Sequence, residues 1–485
     1  MHKKKHHGHR EPFPAVLERE ARIPMEERPK APGLAIAFLG ASGTVTGSRY
    51  LLDDGETRLV VDCGLFQGPK ALRALNWAPI PSEITEVDLV LLTHAHLDHS
   101  GALPRMASLG WNGTVLCTRG TAALCELLLP DSGHLQEQDA NRANRYGYSR
   151  HQPALPLYTQ ADARRALELF RTTEFGEWYK IADGISARYH RAGHILGAAS
   201  IEVLWKDRTI VFSGDIGRYD DAVMKDPVPP PHADYLLVES TYGDRRHEPV
   251  DPMAALGDSI ERCVLRGGTV VIPAFAVGRA QSLLYHLSRL RAAGRLRDIP
   301  IYLDSPMAIN ASGIMCDFME EHRLSRAECE AACSVAHYVR EVEESKALTA
   351  DVNPKVIVSA SGMATGGRVL HHLKRFAPDP KNLILFSGFQ AAGTRGATLL
   401  AGAKTVKIHG EYVPVEAEVA NLPMLSAHAD SDEIMRWLGA LQQAPRQTFV
   451  THGEPTGSGV LAARITEELG WSCTVPTLGS WSALA

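Results

Sequence analysis

Short apolar segments separated by glycine-rich turns dominate the chain from Leu34 to about residue 240. The segments LAIAFL, RYLL, RLVVD, DLVLLT and GTVLCT are followed by ISARYH, SIEVLW, RTIVFSGD and YLLVE. Apolar runs of this length between turn residues predict β-strands. Because few helical patterns separate these strands, we expect sheets that pack against one another.

The pattern changes after Tyr242. The segments AALGDSIERCVLR and RAQSLLYHLSRLRAA have helical spacing, and they alternate with the apolar runs TVVIPA, IYLD, KVIVSA and NLILFSG. Such alternation predicts an α/β domain with a mainly parallel sheet. From about Met424, two helical patterns and the strand QTFVTHG resume the first pattern. The order predicts one domain, residues 34–241 and 424–485, that is interrupted by a second, residues 242–423.

The composition is that of a globular protein. The chain has 485 residues, of which 45% are hydrophobic and 22% are charged, and this excludes wholesale disorder. Residues 1–33 mix charge, proline and histidine without periodicity, so they predict a disordered arm rich in basic residues and histidine. No apolar run approaches the roughly 18 residues that span a bilayer, and the basic N-terminus lacks the apolar stretch of a signal peptide. We expect a cytoplasmic protein without membrane contact.

Charge and cysteine usage narrow the function classes. The net charge of −5 disfavours a protein that coats nucleic acid, because such binding needs an excess of cations. It is compatible with an enzyme that holds a few phosphates in one cleft. The eight cysteines are scattered without a CxxC pair, so we expect reduced cysteines. The 21 histidines are the unusual count.

Three histidines and an aspartate follow the strand DLVLLT within six residues: His94, His96, Asp98 and His99. A turn at a strand end directs successive side chains towards one point, and histidine and aspartate are preferred zinc ligands. A lone histidine is more often part of a core, but this spacing predicts a metal site.

Three further strand ends carry residues suited to the same site. His194 lies in RAGHILGAAS, Asp215 follows IVFSG, and Asp62 follows the strand RLVV. Each residue alone is also compatible with ordinary turn chemistry. Together with the HxHxDH segment, His194 and Asp215 fit a two-metal centre in which both carboxylate oxygens of Asp215 bind. Asp62 is suited to orienting a ligand histidine.

The ordered set of these residues resembles motifs one to four of the metallo-β-lactamase superfamily. This resemblance implies an α/β fold, an αββα sandwich with a dinuclear zinc site at the sheet edges. Glu239 in ESTYG, His428 in SAHAD and His452 in THGE resemble motifs A, B and C of the β-CASP nucleases, which include RNase J and the endonuclease of the cleavage and polyadenylation specificity factor. PAFAVGRAQ and SASGMATGG look like the compact prokaryotic members. The segment between Glu239 and His428 then corresponds to the inserted β-CASP domain.

The resemblance also implies a role for each residue. It assigns one zinc ion to His94, His96 and His194 and the second to Asp98, His99 and His452, with Asp215 bridging the two. A pair of zinc ions would generate hydroxide near neutral pH and neutralise the charge that develops on a phosphodiester. His428 would protonate the leaving 3′-oxygen as the general acid, and Glu239 would orient His428. Asp62 and Asp98 complete the catalytic set.

The inserted domain is expected to form the second wall of a substrate cleft. Arg279 opens a helix, and Ser359, Ser361 and Gly362 lie in a glycine-rich turn after a strand. Both patterns suit phosphate binding, although both also occur in structural connections. A narrow cleft between domains would admit one extended strand, which favours single-stranded RNA as the substrate.

These features predict a zinc-dependent ribonuclease. A hydrolase for DNA or for another phosphoester or ester is the first alternative, and the long insert disfavours a small-molecule substrate. A histidine in motif C resembles the RNA-type members. A non-catalytic RNA-processing subunit is the second alternative, which predicts lost metal ligands, whereas every ligand position is present here. Endonuclease or 5′-exonuclease action, the natural RNA and the oligomeric state stay open, with a homodimer as one alternative.

Overall fold

Two seven-stranded sheets and one six-stranded sheet form the framework of the protein. The computed structural model describes residues 22–30, 33–147, 149 and 151–484. The two larger sheets form a sandwich, and the smaller sheet lies within the segment that interrupts the sandwich in sequence. The predicted fold class, an αββα sandwich with an inserted α/β domain, is confirmed.

The first sheet of the sandwich has the strand order β22-β1-β2-β3-β4-β5-β6. Its strands are β1 (Ala35–Phe38), β2 (Tyr50–Asp53), β3 (Arg58–Val61), β4 (Leu89–Leu91), β5 (Thr114–Thr118), β6 (Phe170–Thr173) and β22 (Trp481–Ala483). Helices before β7 are α1 (Lys70–Leu75), α2 (Ser82–Thr85), α3 (Leu97–Ser100), α4 (Leu103–Ser108), α5 (Arg119–Tyr146) and α6 (Gln160–Glu168). They pack on the outer face of this sheet through a cluster that includes Val90, Met106 and Leu124.

The second sheet has the strand order β21-β20-β11-β10-β9-β8-β7. Its strands are β7 (Trp178–Ala182), β8 (Ile185–Arg191), β9 (Ala199–Trp205), β10 (Arg208–Phe212), β11 (Tyr235–Glu239), β20 (Gln447–Thr451) and β21 (Cys473–Thr474). Helices α14 (Ser431–Leu438) and α15 (Pro455–Leu469) cover its outer face around the buried Trp437. Phe38, Trp205 and Phe212 belong to the apolar layer between the two sheets.

The inserted domain has a sheet in which every pairing is parallel, with the order β14-β13-β15-β12-β16-β19. Its strands are β12 (Val270–Pro273), β13 (Ile301–Asp304), β14 (His337–Tyr338), β15 (Val356–Ser359), β16 (Leu383–Phe386) and β19 (Glu418–Asn421), and β17 (Thr405–Ile408) and β18 (Glu411–Pro414) form a separate hairpin. Its helices are α7 (Pro252–Leu265), α8 (Arg279–Ala292), α9 (Pro306–Asp317), α10 (Arg326–Ser334), α11 (Val342–Ala350), α12 (Val369–Phe376) and α13 (Arg395–Leu400). Apolar clusters on both faces of the sheet, one with Val270 and one with Val271, explain why its strands read as continuous apolar runs.

Much of the predicted disordered arm, residues 1–21, 31 and 32, lies outside the described residues. Within residues 22–30, Ile23 is buried and the Glu26 N–H donates to the Gly479 carbonyl at 3.0 Å, whereas most of the stretch is exposed, so the arm stays a prediction. Cys316 and Cys329 form a disulfide, so the expectation of reduced cysteines is wrong for this pair. The turn between α9 and α10 brings their Cα atoms to 6.0 Å, a proximity that their spacing does not reveal.

The long helix α5 is not a membrane span. Within the described parts of the chain, no helix combines the length and the apolar character that crossing a bilayer requires.

Candidate metal centre

The predicted metal ligands meet at one edge of the sandwich. Asp62 follows β3, His94 lies just beyond β4, and Asp98 and His99 belong to the short helix α3. His194 lies in the turn between β8 and β9, Asp215 follows β10, and His452 follows β20. Neighbouring strands of each sheet therefore deliver these side chains to a single point.

Three histidines and one oxygen of Asp215 form cluster 1, which consists of His94, His96, His194 and Asp215. His96 Nδ1 lies 3.1 Å from His94 Nε2 and 3.3 Å from His194 Nε2. Asp215 Oδ2 lies 3.5 Å from His94 Nε2 and 3.6 Å from His194 Nε2. Four ligands about 2.0–2.1 Å from zinc at the corners of a tetrahedron are about 3.3–3.4 Å apart, so these separations suit a zinc ion.

The second oxygen of Asp215 faces cluster 2, which consists of Asp98, His99 and His452. His99 Nε2 lies 3.2 Å from His452 Nε2 and 3.3 Å from Asp215 Oδ1. Asp98 Oδ2 lies 3.6 Å from His452 Nε2. One carboxylate thus separates two sets of ligand atoms with similar spacing.

The ligand atoms of the two clusters are arranged to bind cations rather than to hydrogen-bond with one another. Asp215 Oδ1 is buried and has no hydrogen-bond partner among the described residues, although imidazole nitrogens surround it. A buried charged oxygen without a partner is costly, and a cation at cluster 2 would remove that cost. The donor set of histidine nitrogens and carboxylate oxygens is also the set that zinc prefers.

The protonation states of the ligand side chains also support metal binding at the clusters. Burial lowers the pKa of His94 and of His194 well below the usual range, so both imidazoles stay neutral. Burial alone would raise the pKa of Asp215, but His452, His99 and His94 hold it well below its usual range. Neutral imidazoles and an ionised carboxylate are the forms that bind metals. His99 differs, because Asp215 and Asp62 outweigh burial and raise its pKa well above the usual range. A metal at cluster 2 would compete with that proton.

Asp62 orients histidines of both clusters. Its carboxylate is 1% exposed and accepts hydrogen bonds from His99 Nδ1 at 2.7 Å and from the Thr93 N–H at 2.8 Å. It also accepts the Thr93 hydroxyl at 2.9 Å, and the Thr93 oxygen lies 3.1 Å from His94 Nδ1. With protons on both Nδ1 atoms, the Nε2 atoms of His94 and His99 are free to face Asp215.

His428 and Glu239 form a pair beside the clusters. His428 Nδ1 lies 3.2 Å from Glu239 Oε2, and the His428 ring centre lies 4.4 Å from that of His194. Burial alone would lower the pKa of His428, but the buried Glu239 carboxylate raises it above the usual value. His428 lies two residues before Asp430, which caps α14 through the backbone N–H groups of Asp432 and Glu433. Glu239 is the last residue of β11 and lies opposite Thr451 in the parallel pairing of β11 with β20, next to the predicted ligand His452.

The four predicted phosphate contacts have different surroundings. Arg279 is 9% exposed at the start of α8, and it lines an interdomain cavity together with His194. Among the described residues its guanidinium has no hydrogen-bond or ion-pair partner, and burial lowers its pKa to about 10. Ser359 does not reach the cleft, because it is fully buried and its hydroxyl donates to the Asp304 carbonyl. Ser361 accepts the N–H groups of Thr365 and Gly366 and so stabilises its own turn.

Gly362, the remaining predicted contact, packs under an aromatic ring that the sequence patterns did not single out. A Cβ atom at Gly362 would lie 2.7 Å from the Phe275 ring. Phe275 is 38% exposed, and its ring centre lies 6.4 Å from that of His96. The insert thus presents an aromatic surface beside cluster 1.

Sequence analysis did not identify two threonine hydroxyl groups that contact the site. Thr93 contacts Asp62 and His94, and Thr241 Oγ1 lies 3.1 Å from His452 Nδ1. Each threonine is adjacent in sequence to a motif residue or within two positions of one, which is the signal that could have identified them. Their role in orienting imidazoles depends on side-chain direction, which sequence spacing does not supply.

Comparison with protein families agrees with this architecture. The model of the metallo-beta-lactamase superfamily matches residues 43–256, and the model of the Beta-Casp domain matches residues 280–399. A third model, described as a Zn-dependent metallo-hydrolase RNA specificity domain, matches residues 412–476. The family resemblance inferred from the motifs is confirmed.

Relatives extend along most of the chain. A ribonuclease of Thermus thermophilus is 39% identical over 87% of this chain and 93% of its own length. An RNase J-like protein of Methanocaldococcus jannaschii is 30% identical, with coverage of 92% and 98%. The transcription termination factor FttA of Methanosarcina mazei is 28% identical, with coverage of 90% and 69%. A solved structure of a protein of unknown function from Enterococcus faecalis matches the fold with a TM-score of 0.50, 13% identity and coverage of 93% and 100%. With family models along its length and relatives at 30% identity or more over nearly all of both chains, the chain belongs to the β-CASP family of the metallo-β-lactamase superfamily.

Proposed function

We propose that this protein is a zinc-dependent ribonuclease that hydrolyses phosphodiester bonds of single-stranded RNA at a centre with two metal ions. The observation that carries the proposal is the pair of ligand clusters that share Asp215, with His428 and Glu239 directly beside them. His94, His96 and His194 would hold one zinc ion, and Asp98, His99 and His452 would hold the other.

Two zinc ions, when bound, supply Lewis-acid chemistry that activates water and neutralises charge on the scissile phosphate. The protein's own residues provide the remaining functions. His428 would give the proton on its Nε2 to the leaving 3′-oxygen, because Nδ1 is engaged by Glu239. Asp62 and Thr93 would hold the imidazoles of His94 and His99 in the required tautomer.

Substrate recognition would use the inserted domain. The buried guanidinium of Arg279 faces the cavity beside His194, and a phosphate there would accept hydrogen bonds that no described residue accepts from it. The Asp221 carboxylate lines the same cavity and attracts Arg279 without a hydrogen bond. Phe275 and the turn at Ser361 and Gly362 would form the neighbouring wall. The relatives named ribonuclease and RNase J-like support RNA as the substrate class. Assembly as a homodimer stays a prediction.

One experiment tests the proposal. The purified protein is stripped of metal, reloaded with zinc, and given internally labelled and 5′-end-labelled single-stranded RNA together with DNA of matched sequence. We expect RNA cleavage that depends on zinc, and internal fragments or mononucleotides will distinguish endonuclease from 5′-exonuclease action. His428→Ala is the inactive control. His232→Ala is its matched active control, because His232 is a partly exposed histidine that precedes β11 at the opposite end from Glu239.

The outcomes separate the candidate functions. Equal or faster cleavage of DNA would favour the alternative hydrolase. Zinc binding at both clusters without cleavage of either polymer would favour the non-catalytic subunit. RNA cleavage that survives complete metal removal would refute the metal-dependent mechanism.

A further inference from the structure

Both domains hold the turn that carries His194. This turn connects β8 with β9 and includes Gly197, whose φ of +75° favours glycine. In the sandwich, the Gly197 carbonyl accepts the hydroxyl groups of Thr118 at 2.6 Å and Thr121 at 2.9 Å. From the inserted domain, the Glu321 carboxylate accepts the Gly197 N–H at 2.6 Å. The peptide groups on either side of Gly197 are therefore fixed by different domains.

Glycine at position 120 makes room for this carboxylate, and glycine at position 197 lets the turn approach the backbone at Thr121. A Cβ atom at Gly120 would lie 2.9 Å from both oxygens of Glu321, and one at Gly197 would lie 2.1 Å from the Thr121 nitrogen. The Glu321 side chain is 7% exposed. A buried carboxylate at a domain interface costs stability unless it is hydrogen-bonded, and the Gly197 N–H supplies that hydrogen bond here. The buried position of Glu321 therefore depends on the contact with the turn that carries His194.

Glu321 lies in the middle of a seam between the two domains. The Arg323 N–H donates to the Val223 carbonyl at 2.7 Å, and Arg323 Nε donates to the Met224 carbonyl at 2.9 Å. Lys225 Nζ donates to the Glu320 carbonyl at 2.5 Å. Because the bond to Gly197 crosses the same interface, separation of the domains at this seam would break it.

We propose that Glu321 is a positioning residue for the metal centre, which couples the closed arrangement of the two domains to the position of His194. The inference rests on the proposed function, because it takes His194 as a metal ligand. Opening of the seam would release the Gly197 N–H and with it one support of the turn, so metal affinity at cluster 1 would fall when the cleft opens.

The Glu321 side chain changes its protonation state near neutral pH. Burial raises its pKa to about 7, and Glu320 acts in the same direction, while the Gly197 N–H, Arg191 and Arg119 oppose the rise. The other charged or titratable groups of the seam are Lys225, Asp226, His322 and Arg323. A hydrogen bond to an ionised acceptor is stronger than one to a neutral acceptor, so the support strengthens as pH rises through neutrality.

Three variants test the proposal: Glu321→Ala, Glu321→Gln and the control Glu320→Ala, whose side chain is exposed at the neighbouring position. Hydrogen–deuterium exchange in the metal-free protein measures the peptide that contains residues 193–200. We expect faster exchange in Glu321→Ala only, because glutamine still offers a carbonyl oxygen to the Gly197 N–H. This readout does not depend on metal or on activity.

Zinc affinity, measured by competition with a chromophoric chelator, gives the second readout. Glu321→Ala should weaken one of the two zinc equivalents by about tenfold or more, the loss typical of residues that orient ligands, and leave the other unchanged. Wild-type exchange together with wild-type affinity in Glu321→Ala would overturn the proposal. So would equal weakening of both equivalents alongside a lowered unfolding temperature, because that result indicates a structural role only.

Glu321→Gln keeps the test decisive if the alanine variant does not fold. The ratio of wild-type to Gln-variant affinity should rise between pH 6 and 8, because only the wild-type side chain gains charge; a constant ratio overturns the proposal. A wild-type protein that binds no zinc would refute the proposed function instead, while the exchange measurement would still report on Glu321.

Discussion

Replacement of Asp62 by alanine should weaken zinc binding at both clusters. The carboxylate accepts hydrogen bonds from His99 Nδ1, from the Thr93 N–H and from the Thr93 hydroxyl, which in turn contacts His94 Nδ1. Loss of an orienting partner costs about 10–100-fold in metal affinity, which corresponds to about 1.4–2.7 kcal/mol. Because the carboxylate supports one histidine of each cluster, we expect a loss in this range at both.

The same substitution should lower the free energy of unfolding. It leaves the buried Thr93 N–H and His99 Nδ1–H without their acceptor. Each buried donor without a partner costs about 1–3 kcal/mol, so the metal-free variant should lose about 2 kcal/mol or more. Asp53→Ala is the matched control, because Asp53 is also 1% exposed but pairs with Arg58 at the opposite end of β3. This control should lose stability and keep wild-type zinc affinity.

Thr93→Val distinguishes the support of His94 through Thr93 from the direct support of His99 by Asp62. Valine retains the shape of threonine and the N–H bond to Asp62 but removes the oxygen that contacts His94 Nδ1 at 3.1 Å. The same oxygen lies 3.4 Å from His99 Nδ1, but His99 keeps its shorter bond to Asp62 at 2.7 Å. Chelator competition should show about tenfold weaker binding of one zinc equivalent and no change in the other. Wild-type affinity of both equivalents in Asp62→Ala, or equal losses in both equivalents for Thr93→Val, would refute the reasoning.

Four further predictions concern Asp215, His428, Glu239 and Arg279. Asp215→Ala should lose metal and activity together, because its two oxygens face different clusters, and full zinc occupancy by mass spectrometry would contradict the bridging role. His428→Ala should keep both zinc ions while turnover falls roughly 10²–10⁴-fold. The Glu239 carboxylate raises the pKa of His428, so activity should fall as pH rises through that pKa. Glu239→Gln should therefore move the alkaline limb of the pH–rate profile to lower pH. An unchanged alkaline limb would exclude His428 as the general acid. Arg279→Ala should raise KM for RNA and reduce its salt dependence without changing zinc content, and an unchanged KM would remove Arg279 from the phosphate contacts.

Consecutive residues were enough to predict the parts of the site that lie within single segments. His94, His96, Asp98 and His99 lie within six positions, so the strand end and the short helix after it bring them together without help from distant residues. The fold class could also be predicted, because the spacing of apolar residues differs between the strands of the sandwich and the alternating strands and helices of the insert. For Asp215, His194 and Asp62, the sequence indicated suitable chemistry, and family resemblance supplied the pairing.

Tertiary structure decided the contacts that join segments far apart in sequence. Glu239 reaches His428 across the whole insert, and Glu321 reaches Gly197 across the domain interface. The same dependence explains where the structure departs from the sequence patterns. Ser359 is the last residue of β15 and its hydroxyl donates to the Asp304 carbonyl, and Cys316 meets Cys329 only because α9 and α10 fold back on each other. Periodicity records which face of an element is apolar, whereas the direction of a single polar side chain depends on packing between elements.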